Sequence, residues 1–308
     1  MAPSNVVGRV AALAERRLIL TNDDSSNPQP GPIAADYDHL CSVIRAYESV
    51  LVAFSAGVDS TLVVRAAIDA LGRANVLAVT ARSASVPAAE LKQAVALAES
   101  IGAEHAFVDT DEFDNPNYTS NPTNRCYYCK STLYGHLAPL AKRRGIGVIA
   151  NGANTDDLGD WRPGLIAAEE FDVRAPLIEA GLNKSQVRQL SRQLGLPTHD
   201  KPASPCLSSR IPYGAEVTPQ KLRMVEAAES FLKDQLGLRE LRVRHYGDEA
   251  RIEAPNPAVT FADPETIATV DAHLRSLGFG RVTIDPAGFR SGSLNEVIAF
   301  GSRQINSQ

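Results

Sequence analysis

The hydrophobic pattern divides this chain into short apolar runs set between longer segments of helical period. Residues 49–54 (SVLVAF), 75–80 (NVLAVT), 105–109 (HAFVD) and 147–151 (GVIAN) read as strands of the kind buried on both faces. Helical stretches lie near 38–47, over 62–71, over 88–101 with Gly102 closing it, and over 184–194. Strands alternating with helices predict an α/β fold with a doubly wound parallel sheet, in which ligands sit at the carboxyl ends of the strands. Ser55, residues 80–83, Asp109 and Asn151 all fall at those ends. The pattern changes after residues 199–210 (HDKPASPCLSSR). A helix over 218–234, strands over 241–245 and 249–254, a helix over 263–277 and a strand over 281–285 predict a smaller α+β layer. The expected organisation is therefore an N-terminal extension (1–37), polar, turn-rich and loosely ordered, a nucleotide-binding domain (38–205) and a C-terminal α+β domain (206–308).

Composition narrows this picture without changing it. A net charge of −5 in 308 residues provides no general basic field for long nucleic acid or an anionic membrane. No apolar stretch approaches the roughly 18 residues of a membrane span, and the start lacks the apolar core of a signal peptide, so a cytoplasmic protein is expected. Four cysteines in a chain of this size do not form a secreted disulfide framework, which turns attention to where they stand.

The most specific chemistry follows the first strand. In Ala53-Phe54-Ser55-Ala56-Gly57-Val58-Asp59-Ser60-Thr61 a buried strand runs through small residues into a helix. Small residues let the backbone wrap an anion, successive N–H groups point inward, and the helix N-terminus adds roughly half a positive charge. Ser55 and Ser60 add hydroxyl donors. No lysine follows the glycine, as it would in G-x-x-x-x-G-K-[ST], so γ-phosphoryl transfer is disfavoured. The loop resembles the SGGxDS loop of the PP-loop ATP pyrophosphatases, which implies that ATP is opened between its α- and β-phosphates with Mg²⁺ neutralising the charge. The same resemblance places Thr80, Arg82 and Ser83 near the adenine. Ala56 stands where that pattern usually has glycine, and an ordinary negative φ is expected there.

Cys126-x-x-Cys129 is flanked by cations that favour thiolates, and Cys206 follows in a proline-bounded segment, while Cys41 reads as packing. Three thiols without an obvious fourth ligand suit a [4Fe–4S] cluster with one iron open. Zinc completed by His105, His136 or His199, and thiols that bind nothing, stay open as readings. Arg242 and Arg244 alternate along a strand and share one face, so that with Ser209 and Arg210 they form a candidate phosphate clamp. Asp59, Asp156 and Asp160 are candidate Mg²⁺ ligands.

Taken together, several segments are similar to the LarE family. They are FSAGVDS (54–60), NRCYYCK (124–130), GANTDD (152–157), WRPG (161–164), RAPL (174–177), KPASPCLSSRIPYG (201–214), RVR (242–244) and GFRSG (288–292). The resemblance implies an ATP-dependent sulfurtransferase that adenylates a carboxylate of pyridinium-3,5-biscarboxylic acid mononucleotide and inserts sulfur, on the way to the nickel-pincer nucleotide. It further implies a homo-oligomer, and a cysteine at Cys206 that takes part in sulfur delivery from a donor the sequence does not name. Of the family's two variants, one sacrificing the cysteine's own sulfur and one carrying a CxxC and a cluster, this chain has the CxxC. A PP-loop tRNA thiolase and a non-catalytic nucleotide sensor remain as alternatives. The absence of zinc-ribbon pairs weighs against the first, and the Ala56 departure is what admits the second.

Overall fold

The computed structural model describes residues 32–159 and 162–290. The expected extension up to residue 31, the candidate ligand Asp160, Trp161 and residues 291–292 lie outside them. Four parallel strands, β1 (Val50–Ala53), β2 (Val76–Arg82), β3 (Glu104–Asp109) and β4 (Val148–Ala150), form a sheet in the order β3-β2-β1-β4. The chain steps outward from β1 to β2 and β3, then crosses back to pair β4 with the free side of β1. The strand order thus reverses between β1 and β4, and crevices at such a reversal are where open α/β sheets bind ligands.

Alternation along these strands explains why they read as continuous apolar runs. Val50, Val52, Val76 and Ala78 face one way, against α1 (Pro32–Arg45), α2 (Val58–Leu71), α3 (Ala88–Ile101) and a later helix described below. Leu51, Leu77 and Val79 face the other way, against α4 (Arg125–Arg144) and α5 (Pro163–Glu170). Burial on both faces removes any polar position from the alternation. Helix α6 (Lys184–Gln193) adds Val187 and Leu190 to the first face and opens with a capping box, Asn183 accepting from the Gln186 N–H and the Gln186 side chain accepting from Asn183.

Helix α1 begins at Pro32, six residues before the expected start and inside the stretch assigned to the extension. Helix α4 has no counterpart in the sequence reading: Gly135 and Pro139 lie inside it and two tyrosines in its first turn, all poor helix signals. Its legible signs are Leu133, Leu137 and Ala141 at four-residue spacing and Lys142-Arg143-Arg144 before Gly145, which caps it at φ +67°.

The second layer is a sheet of β5 (Arg242–Tyr246), β6 (Glu249–Glu253) and β7 (Arg281–Ile284), with β5 antiparallel and β7 parallel to β6. One face packs Val243 and Ile252 against α7 (Pro219–Leu236) and α8 (Pro264–Ser276). The two layers are stitched together. Leu207, Ile211, Val217, Leu222 and Val225 share a core with Tyr118, Tyr128 and Cys129, and Glu226 of α7 accepts the Ala88 N–H at 2.6 Å, capping α3 from the other layer. Among the described residues no helix is long and apolar enough to cross a membrane.

Candidate active site

Strand β1 ends at Ala53 and α2 starts at Val58, so residues 54–57 make the whole turn. Gly57 is extended at φ −84° and ψ 170°, and no side chain caps the helix behind it, leaving the start of a 14-residue helix open toward the crevice. Inside the loop Ser55 and Ser60 hydroxyls meet at 3.1 Å, the Ser55 N–H donates to Ser60 Oγ, and Thr61 Oγ1 donates to the Gly57 carbonyl at 2.7 Å. Phe54 and Val58 are buried, and the Phe54 N–H bonds the Val79 carbonyl on β2.

Ala56 overturns the expectation of negative φ: it sits at +53°. The methyl is fully buried in the core against which α2 packs, and the Ala56 carbonyl accepts from Lys201 Nζ at 3.2 Å. Glycine there would relieve about 1 kcal/mol of left-handed strain but lose about 0.8 kcal/mol of methyl burial and gain unfolded-state freedom worth about 0.4–1 kcal/mol. These nearly cancel, which accounts for alanine at this position. Ala56→Gly is accordingly expected to leave unfolding free energy within about 1 kcal/mol of the parent in a denaturant titration; a loss above about 2 kcal/mol would contradict this account.

Asp59 faces the switch point and is held there. Lys184 Nζ donates to Oδ2 at 2.5 Å and Asn154 Nδ2 to Oδ1 at 3.3 Å. Asp156 accepts the Lys184 backbone N–H at 3.2 Å, so the two described Mg²⁺ candidates belong to one network around Lys184. Lys184 was not anticipated; its sign in the sequence is its place at the first turn after a capping asparagine, at the mouth of the crevice. Gly152 follows β4 and lies against the loop so closely that a Cβ on it would stand 2.8 Å from the Ser60 nitrogen.

The adenine candidates divide. Thr80 is buried, donating to the Phe54 carbonyl at 2.8 Å and meeting His105 Nε2 at 2.9 Å. Arg82 is half exposed and forms a bidentate pair with Asp109 (2.6 and 2.8 Å), which holds the Asp109 carboxyl below the usual carboxylate range. Ser83 joins Ser85, whose hydroxyl donates to the buried Glu112 and whose carbonyl accepts the Leu207 N–H at 2.8 Å. The loop after β2 thus touches the residue after Cys206.

Cys126 and Cys129 lie three apart within the first five residues of α4, on one side of it. Segment 206–217 is bound to the same region: Tyr118 Oη meets Ser208 Oγ at 2.7 Å, Arg125 donates to the Ser208 carbonyl at 3.0 Å and is held by Asn121, and Asn121 Nδ2 donates to the Ile211 and Pro212 carbonyls. Cys206 is brought near enough that its charge acts on both Cys126 and Cys129. The expectation that flanking cations favour thiolates is corrected. Arg125 and Lys130 do pull the Cys126 thiol down, and Lys130 that of Cys129. Burial outweighs them and raises both, Cys129 to about 12. Among the described residues no three His, Cys, Asp or Glu side chains stand in a metal-binding group. Each candidate histidine is engaged elsewhere, His105 with Thr80, His136 with Asp111 and His199 with the Leu196 carbonyl. Cys41 is buried beside the Ala66 carbonyl.

Arg210 and Arg244 both reach Ser209, whereas Arg242 does not, and the three do not stand as free cations. Arg210 is bidentate with Glu229 (2.8 and 3.0 Å) and also donates to Ser209 Oγ and the Pro205 and Cys206 carbonyls. Arg244 is bidentate with Glu253 (3.0 and 2.8 Å) and donates to the Ser209 carbonyl. Arg242 donates to the Leu241 and Ala203 carbonyls and lies over the Phe289 ring; burial and the neighbouring Arg210 lower its pKa. Glu229 and Glu253 were missed. Their readable sign is a carboxylate at an apolar position, Glu229 standing in the row Val225, Glu229, Leu232 that α7 buries.

A parallel sheet with an uncapped helix behind a serine-rich loop at its switch point defines an ATP-utilising enzyme of the PP-loop class. The pyridinium-3,5-bisthiocarboxylic acid mononucleotide synthase of Lactiplantibacillus plantarum is 39% identical over 263 residues, covering 84% of this chain and 93% of its own. The chain belongs to the LarE family. An uncharacterised protein of Synechocystis is 47% identical over 252 residues (82% of this chain, 93% of that one). The NAD synthase family matches residues 38–122, and an NH(3)-dependent NAD(+) synthetase of Pyrobaculum aerophilum is 29% identical over 194 residues (56% of this chain, 70% of that one).

Proposed function

We propose that this chain is an ATP-dependent sulfurtransferase acting on pyridinium-3,5-biscarboxylic acid mononucleotide. The loop Ser55–Thr61 takes the pyrophosphate of Mg²⁺-ATP, a substrate carboxylate attacks the α-phosphorus, and pyrophosphate leaves. The carboxyl carbon of the acyl adenylate then accepts sulfur, and AMP departs with the C–O electron pair. Backbone N–H groups at the open start of α2 stabilise the departing pyrophosphate charge, and Lys184 keeps Asp59 aimed at the same point. The substrate phosphate is assigned to the Ser209 and Arg242 end of the arginine group. Arg242 is the arginine there with no bidentate carboxylate among its bonds, which is what supports that choice.

The observation that carries the reading is the position of Cys206: its segment is bonded to the phosphate loop through Lys201, to Ser85 in the loop after β2 through Leu207, and to the CxxC helix through Ser208. A [4Fe–4S] cluster would be held by Cys126, Cys129 and Cys206; in favour of it are the CxxC pair at the start of α4 and the bond that ties the Cys206 segment to that same helix through Arg125 and Ser208. Such a cluster would supply one iron with an open position for exogenous sulfide. Anaerobically purified protein given ATP, the dicarboxylate and sulfide should release pyrophosphate and form thiocarboxylate. Cys206→Ala should keep pyrophosphate release and lose thiocarboxylate, and Cys126→Ala should lose bound iron. Wild-type protein that releases no pyrophosphate under these conditions would sink the reading.

A further inference from the structure

Residues 199–206 lead to Cys206 with no strand or helix of their own, and Pro202 and Pro205 contribute no N–H. Their carbonyls are held by guanidinium groups in place of a ladder. Arg188 takes those of His199 and Lys201 (2.8 and 2.9 Å), Arg242 that of Ala203, and Arg210 those of Pro205 and Cys206. Two side chains of the same segment turn the other way, toward α3. Lys201 Nζ donates to Glu90 Oε2 at 2.6 Å and Ser204 Oγ to Glu90 Oε1 at 3.0 Å, while the same Lys201 ammonium reaches the Ala56 carbonyl. Glu90 and Lys201 are each about four-fifths buried (21% and 19% exposed), a setting in which one carboxylate with two donors is held firmly.

We propose that Glu90 is a positioning residue for the sulfur-transfer half of the reaction. By gripping Lys201 and Ser204 together it fixes the span between the phosphate loop and Cys206, so that the activated carboxyl carbon and the sulfur-bearing residue meet. The Glu90 carboxylate bonds Lys201 and Ser204 and not the loop at residues 54–57 or Cys206, so its loss misplaces the second step while leaving the first. The inference rests on the function proposed above, and its signature is a change in the ratio of two products.

The experiment measures thiocarboxylate formed per pyrophosphate released. Glu90→Ala should release pyrophosphate within about threefold of wild type, with the ratio lowered about tenfold to a hundredfold, the scale of a displacement near 1 Å. Glu90→Gln, which keeps the shape and a hydrogen bond to Ser204, should recover most of the ratio. Ser204→Ala, a milder variant should Glu90→Ala not fold, should lower the ratio about threefold at an unchanged melting temperature. A wild-type ratio in Glu90→Ala or in a folded Ser204→Ala overturns the inference, as does an equal fall of both products in Glu90→Gln and Glu90→Ala. Failure of the functional reading is distinguishable, because there wild type itself releases no pyrophosphate.

Discussion

Gly152→Ala is expected to lower ATP-dependent pyrophosphate release about a hundredfold or more. The added Cβ would stand 2.8 Å from the Ser60 nitrogen and 3.1 Å from the Asp59 carbonyl carbon and Cβ. Two of these three atoms are backbone in the first turn of α2, so no side-chain rotation makes room. The helix start or the end of β4 must move, at a cost of about 1–3 kcal/mol for overpacking. The displaced groups are the N–H donors that the proposed function assigns to the phosphates, which is why activity should suffer far more than stability. Thermal melting alongside pyrophosphate release separates the two, and near-normal release from Gly152→Ala would show that the loop tolerates a shift here.

Arg210→Met is expected to destabilise the protein by about 3–5 kcal/mol. The guanidinium is 3% exposed and the Glu229 carboxylate 5% exposed, and removing the cation leaves a buried charge whose remaining partners are the Val243 N–H at 3.1 Å and Lys233 at 4.0 Å. The carbonyls of Pro205 and Cys206 lose their donor as well. Replacing both members, Arg210→Met with Glu229→Leu, should recover much of the loss, because a buried pair contributes little net stability over an apolar one. Chemical denaturation of the two single variants and the double one closes the cycle. A double variant as unstable as the sum of the singles would mean that the arginine acts mainly through the carbonyls of residues 205 and 206.

How much of the site was legible depended on whether a residue's partner lay close in the sequence. The loop at residues 53–61 was readable because strand, small residues and helix are contiguous, and local conformation alone defines the turn. Even there Ala56 was misread, since its positive φ is tolerated through a buried methyl and a lysine 145 positions away. Arg242 and Arg244 are recognisable by alternation, which places them on one face, and Arg210 joins them only as a neighbour of Ser209. Their engagement with Glu229 and Glu253 was invisible, because the pairing crosses from α7 to the 207–210 turn and from β5 to β6. Helix α4 escaped because Gly135 and Pro139 weaken local propensity, whereas its packing through Leu133, Tyr134 and Leu137 is tertiary.

The α/β class, the strand-loop-helix turn at residues 53–61 and the pairing of Cys126 with Cys129 are legible in the chain alone, because period, turn chemistry and spacing are properties of neighbouring residues. That Gly152 abuts Ser60, that Lys184 claims Asp59 and that Glu90 takes Lys201 follows from the folded packing alone. Those contacts join segments tens to more than a hundred residues apart. Each is selected by burial of a charge or by close approach of two backbones, and neither leaves a period in the chain.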